Sequence, residues 1–80
     1  MQIETLKVFC DLVDLQSFSL AAERNFITQS AVSQQIRALE DKFKRRLLER
    51  VRGRREVKLT PAGEVFYREA KNVLVLVFVG

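Results

Sequence analysis

Histidine is absent from the 80 residues, and cysteine occurs once, at Cys10. These shortages exclude a disulfide framework or a Cys/His zinc site within one chain, and a reducing, cytosolic setting fits best. No base is available to activate the lone thiol. Cys10 falls on an apolar stripe and reads as a small core residue. The chain has no glycine-rich phosphate loop, no metal-ligand cluster and no carboxylate pair at a plausible cleft spacing. Enzyme is therefore the least favoured class, and no cofactor or metal is expected. Internal repeats and low-complexity linkers are missing. The N-terminus alternates acidic and apolar residues where a signal peptide would carry a basic and then an apolar region. The longest apolar run, VLVLVFV over 73–79, falls well short of the roughly 20 residues that a bilayer requires, so no membrane partner is expected.

Positive charge is present, and it is concentrated. The net charge is +4, yet residues 42–58 hold nine of the fourteen basic residues against Glu49 and Glu56 alone. That segment carries +7 and leaves −3 for the rest of the chain. Such asymmetry points to a polyanionic partner more than a high isoelectric point does.

Four helical segments follow from periodicity. Ile3, Leu6, Phe9, Cys10 and Val13 form an apolar stripe with Glu4, Lys7, Asp11 and Asp14 opposite, so a first helix is expected over about 3–15. Ser17 can cap a short second helix whose buried side is Phe18, Ala21, Ala22 and Phe26; Asn25 is the residue expected to end it in the left-handed conformation. Thr28 then caps a third helix over 28–43, with Val32, Ile36, Leu39 and Phe43 on its buried face. Ser30, Ser33, Gln34 and Arg37 fall on the opposite side over the first two turns. These are side chains whose donors and acceptors match base edges and phosphate oxygens, and the helix start favours an anion. A neutral polar surface helix is the competing reading of this segment alone. Two helices joined by about three residues make a helix-turn-helix pattern.

After Phe43, Val57 and Leu59 alternate with Glu56, Lys58 and Thr60, which is a strand signal. A two-stranded hairpin with Gly53 in its turn would place Arg52, Arg54 and Arg55 at an exposed tip, as a wing that reaches a phosphate or a minor groove. Thr60 followed by Pro61 marks the start of a last helix. Phe66, Ala70, Val73 and Val77 recur there by four and three, a seam suited to the same helix of a second copy, although part of it near Val65 and Phe66 is expected on the domain's own core. The run 73–79 reads as the buried end of that dimer helix; its β-branched alternation also suits a strand.

The blocks SFSLAAERNFITQSAVSQQIRALEDKF, LLER and LTPAGE, with Phe9 ahead of them, resemble the N-terminal DNA-binding domain of LysR-type transcriptional regulators along nearly the whole chain. The resemblance implies a mainly α fold. It implies a winged helix-turn-helix with a three-helix core and a two-stranded wing over 1–60, followed over 61–80 by a linker and dimerisation helix that pairs antiparallel with a second subunit. It implies DNA contacts from Thr28, Gln29, Ser30, Ser33, Gln34 and Arg37 at the start of the third helix, and from Arg52, Arg54 and Arg55 in the wing. Three positions depart from the family pattern. Ser30 stands where proline is usual, Lys44 where glycine usually follows the recognition helix, and Leu48 where phenylalanine is common.

The implied function is sequence-specific binding of double-stranded DNA by a homodimer, or by a tetramer in a full-length regulator, in the bacterial cytoplasm at the nucleoid. The family's effector-binding domain has no counterpart in these residues, so no small-molecule effector site is expected, and the chain is either a fragment of a longer regulator or a short stand-alone binder. The alternative is a protein-interaction module that dimerises through the same bundle without reading DNA.

Overall fold

The structure is a computed structural model that describes residues 2–49 and 57–78. Four helices account for most of it: α1 (Ile3–Leu15), α2 (Phe18–Arg24), α3 (Gln29–Phe43) and α4 (Pro61–Phe78). The run at 73–77 continues α4 as helix. α1 lies at the centre of the packing, touching each of the other three, while α2 and α3 also pack on each other. Phe9 and Leu12 of α1, Ala21 and Ala22 of α2, Val32, Ile36 and Leu39 of α3, and Ala70 of α4 close over one core. The alanine pair supplies no bulk, so α2 sits close against its neighbours. Cys10 is buried in this core, and burial pushes its thiol up to about 11. It stays protonated near neutrality and packs as an apolar side chain.

The starts of α2, α3 and α4 are capped as their sequence dictates, while Gln2 ahead of α1 makes no side-chain cap. The Ser17 hydroxyl accepts from Leu20 N–H at 3.1 Å and Thr28 Oγ1 from Ala31 N–H at 3.0 Å. Thr60 Oγ1 accepts from Gly63 N–H at 3.0 Å while donating to the Arg46 carbonyl, and Pro61 takes the first helical position. These side-chain acceptors satisfy helix N–H groups that have no partner within the helix.

The helix ends differ from expectation. At the end of α2 it is Phe26 that adopts the left-handed conformation, at φ 56°, and not Asn25. Phe26 N–H donates to Glu23 O and Ile27 N–H to Ala22 O, the paired bonds of a Schellman cap. The reversal at Phe26 turns its ring away from the core, so it is 95% exposed and contributes nothing to the buried side of α2. Lys44 closes α3 in the same way at φ 56°, with Arg45 N–H donating to Glu40 O at 3.2 Å. The cap thus forms without glycine. Phe43 is only partly covered, because its ring leans on Phe66 at the rim of the core, 5.4 Å between centroids.

Between α3 and α4 the described residues hold one antiparallel bridge, Leu48 to Leu59, flanked by Glu49 N–H donating to Lys58 O at 2.8 Å. This is the base of the expected hairpin. Its tip, with Arg52, Arg54 and Arg55, lies outside the described residues. Leu48, where the family often has phenylalanine, is buried in the core.

Along α4, Phe66 meets Phe9 edge-on at 5.1 Å and Ala70 is 3% exposed. Both belong to the seam expected to suit a second copy, whose start near Phe66 was also expected on the domain's own core; in the structure Phe66 and Ala70 alike face their own domain, because the i, i+4 step between them lies along α1. Val65, expected on the core, is half-exposed. Val73, Val75, Leu76 and Val77 are exposed in the single chain, while Leu74 packs on the core.

Candidate nucleic-acid interface

The α3 face opposite Val32, Ile36 and Leu39 is where the sequence placed hydrogen-bonding side chains. Gln29, Ser30, Gln34 and Arg37 are exposed and Ser33 is half-buried. Together with Phe18 from the start of α2 they line one concave strip of about 520 Å³. Thr28 is exposed at its head, and its hydroxyl caps α3. The strip therefore offers amide, hydroxyl and guanidinium groups from one rigid element, with free N–H groups at the helix start. Five of the six residues expected at the helix line this strip, and the sixth caps it; the three arginines of the wing lie outside the described residues.

Arg37 also borders a second concavity, of about 640 Å³, lined by Glu40, Asp41, Lys44, Arg45 and Arg46. Polar surface thus runs the length of α3. The cations at its far end lie at the C-terminus of α3, where the helix dipole favours positive charge.

Two side chains that the sequence reading passed over hold the hairpin base, one from α3 and one from the end of α1. Glu40 Oε2 accepts from Leu47 N–H at 2.8 Å and from Leu48 N–H at 3.2 Å, which ties the first strand to α3. Gln16, left-handed at the end of α1, donates through Nε2 to Val57 O at 2.8 Å and accepts at Oε1 from Val57 N–H at 3.3 Å. Its amide stands in for a strand partner on the other side. The segment at 47–48 is thus tied to α3 and Val57 to the end of α1. Neither contact has a local sequence signal, since each joins residues brought together only by the fold.

A third cluster fixes the angle of the helix-turn-helix. Asp11, expected on the solvent side of α1, is 8% exposed. It accepts from Lys7 Nζ at 2.8 Å and Asn25 Nδ2 at 2.9 Å, with Arg24 Nη1 at 3.7 Å. Asn25 Nδ2 also donates to Ala21 O at 2.8 Å. The residue expected to break α2 by its backbone instead locks the turn to α1 by its side chain. The carboxylate is drawn inside because two hydrogen-bond donors and the Arg24 charge replace its water.

On the far side of α1, Asp14 accepts from both Tyr67 Oη and Lys71 Nζ of α4. Burial alone would raise the Asp14 carboxyl, but these two hydrogen bonds hold it below the usual range. The bond to Asp14, then burial, raises the Tyr67 hydroxyl; the same bond raises Lys71, against burial. This clasp sets where α4 leaves the domain. Among the described residues no group of His, Cys, Asp and Glu side chains is arranged to hold a metal ion, and no helix is long and apolar enough to cross a membrane.

Comparison with known proteins places this geometry. The family model for bacterial regulatory helix-turn-helix proteins of the lysR family matches residues 3–64. An uncharacterized HTH-type transcriptional regulator YhjC of Escherichia coli is 41% identical over 73 residues, and the HTH-type transcriptional regulator BenM of Acinetobacter baylyi 42% over 74. These alignments cover 91% and 92% of this chain but 24% of each relative, so the chain spans about a quarter of their length. The crystal structure of the BenM DNA-binding domain in complex with catB site 1 DNA superposes with a TM-score of 0.87 at 42% identity, over 96% of this chain and 83% of that one. The CbnR DNA-binding domain in its DNA complex gives 0.85 at 32% identity, over 96% and 86%. With Thr28 capping a polar α3, Gln16 and Glu40 bracketing a hairpin base, and a match over residues 3–64, the chain belongs to the lysR family of bacterial regulatory helix-turn-helix proteins.

Proposed function

We propose that this chain binds double-stranded DNA with sequence specificity, as a LysR-type regulator or its DNA-binding part, and works as a homodimer in the bacterial cytoplasm. The observation that carries the proposal is the exposed strip of Gln29, Ser30, Ser33, Gln34 and Arg37 along one side of α3, whose other side is sealed into the core. A major groove about 12 Å wide admits such a helix, and bidentate Gln and Arg side chains distinguish base pairs there. Thr28 and the N–H groups at the head of α3 suit a phosphate. Arg52, Arg54 and Arg55 are assigned to the backbone or minor groove next to it. The role is recognition, not catalysis, and needs no cofactor.

Residues 61–80 are assigned to dimerisation. Phe66 and Ala70 stabilise the helix on its own domain, which leaves Val73 and Val77, with exposed Val75 and Leu76 beside them, to meet the second copy. Four exposed aliphatic side chains on one short stretch favour association.

The test is selection of bound sites from a random duplex pool by the purified chain. A two-fold symmetric consensus with half-sites about one helical turn or a multiple of it apart is the expected outcome. A pool that remains random after repeated selection contradicts the proposal.

A further inference from the structure

Two kinds of contact hold α4 on its own domain, and they constrain it differently. Phe66, Ala70 and Leu74 recur by four along one stripe and pack on the core, with the Phe66 ring 5.1 Å from that of Phe9. Val75, Leu76 and Val77 beyond them are exposed, so α4 leaves the domain over the turn from Ala70 to Leu74. Tyr67 and Lys71 follow the same step of four, turned by about 100° to one side of that stripe. Both donate to one carboxylate of α1, Tyr67 Oη to Asp14 Oδ1 and Lys71 Nζ to Asp14 Oδ2 at 2.5 Å, and the Lys71 ammonium lies 5.4 Å from the centre of the Tyr67 ring. Apolar burial has no direction, so a single row of side chains sets how close α4 lies to α1 yet leaves it free to rock sideways about the row. Two hydrogen bonds on one flank oppose that rocking. Their anchor is firm, because Phe9 and Leu12 of α1 are fully buried and Gln16, two residues past Asp14, is bonded to Val57 through both ends of its amide.

In a dimer joined through the far end of α4, the angle at which this helix leaves each domain sets the distance between the two α3 faces. The outward face of α3 stands about 20 Å from α4, roughly two helix diameters, with α1 packed on both. Rocking α4 by about 10° would therefore carry that face about 3.4 Å, one base-pair step. We infer that Asp14, Tyr67 and Lys71 are positioning residues that fix this angle and thereby select the number of base pairs separating the two half-sites. The inference rests on the proposed DNA binding by a homodimer, and it adds a determinant of site choice that touches no base. None of the three lines the polar strip of α3, so they act on the separation of half-sites and not on the sequence within one.

The experiment uses the duplex that the protein selects from the random pool, remade with one base pair added to or removed from the segment between the half-sites. The unmodified chain is expected to bind either altered length about thirty-fold less tightly, since protein or DNA must deform to fit it. In Asp14→Ala that ratio is expected to shrink by about five- to twenty-fold, because an exposed pair contributes at most about five-fold and a dimer has two. Tyr67→Phe, which removes one hydroxyl, is expected to shrink it by about two- to five-fold. Exchanging the charges, Asp14→Lys together with Lys71→Asp, is expected to restore it. In all of these variants the preference for the selected half-sites over scrambled ones is expected to persist. Each ratio compares two duplexes on one preparation, so a loss of folded protein cancels from it, as a merely structural role would. An unchanged length preference in Asp14→Ala and Tyr67→Phe, or equal binding of all three lengths by the unmodified chain, overturns the clasp's role and leaves DNA binding standing. Failure to select a two-fold symmetric site overturns the homodimer reading itself. Tyr67→Phe gives the answer even if Asp14→Ala does not fold.

Discussion

Gly63→Ala is the substitution for which two physical effects predict opposite signs. In the first turn of α4, replacing glycine by alanine removes backbone freedom from the unfolded chain, and on that ground alone stability should rise by about 0.5–1 kcal/mol. The fold leaves no space for the methyl. A Cβ on Gly63 would stand 2.1 Å from the Leu47 carbonyl oxygen, 3.0 Å from its carbon and 3.2 Å from its Cα. All three are backbone atoms, so no rotamer change relieves the clash, and either the start of α4 or the strand beneath it must shift. Thr60 N–H bonds that same carbonyl at 3.1 Å, and Leu47 is 2% exposed. The shift therefore weakens a backbone hydrogen bond worth about 1 kcal/mol and strains a packed side chain at a cost of about 1–3 kcal/mol. Steric strain outweighs the entropy gain, and the balance is a loss of about 2 kcal/mol. In urea, with a slope of about 1 kcal/mol per molar for so small a domain, the unfolding midpoint should drop by about 2 M. A midpoint equal to or above that of the unmodified chain would refute the reasoning and show that α4 is not seated on Leu47.

Lys44→Gly removes the left-handed strain at the end of α3 and should raise stability by about 1 kcal/mol in the same urea titration, whereas a lowered midpoint would mean that the Lys44 side chain contributes more than its backbone costs. The Asp14 clasp should make stability depend on pH in two directions. Because Asp14 is held below its usual 3.8, its contribution is present above that pH and lost as pH falls through the lower folded value; because Lys71 is raised above 10.5, its contribution is present below that pH and lost as pH rises through the folded value. Asp14 is a third exposed, so Asp14→Asn should cost less than about 1 kcal/mol at pH 7, and the difference should shrink below pH 3.8; a constant difference at all pH values would discount the ion pair. Replacing Arg54 and Arg55 by alanine should weaken binding to every duplex and flatten the salt dependence by about 0.9 per lost phosphate contact, while an unchanged slope would remove the wing from the interface.

Much of the helical layout was legible because it is written in local chemistry. Ser17, Thr28 and the Thr60–Pro61 pair announce helix starts by hydrogen bonds that span three residues, and each forms as expected. The apolar row of α3 was equally readable, with Val32, Ile36 and Leu39 all buried. The errors have a common origin in contacts distant along the chain. Phe26 fits the period of α2, but the helix ends at Arg24 and the left-handed turn points the ring outward. Asp11 fits the polar side of α1, yet Lys7, Arg24 and Asn25 gather around it once α2 folds back. Gln16 and Glu40 carry no local signal, and only the hairpin base gives them their bonds to Val57 and to Leu47 and Leu48. On α4 the spacing of Phe66, Ala70, Val73 and Val77 identified a helical seam whose start was expected on the core, but not that Ala70 would follow Phe66 there, which depends on how α4 lies along α1 beside Phe9.

The central claim is that the outward face of α3 distinguishes one DNA sequence from another. Its most direct test is the affinity of the unmodified chain, Gln34→Ala and Arg37→Ala for the selected duplex and for a scrambled duplex of equal length at one salt concentration. Each variant should lose about 1–3 kcal/mol on the selected duplex and little on the scrambled one. Equal losses on the two duplexes, or none on either, would contradict base reading by α3.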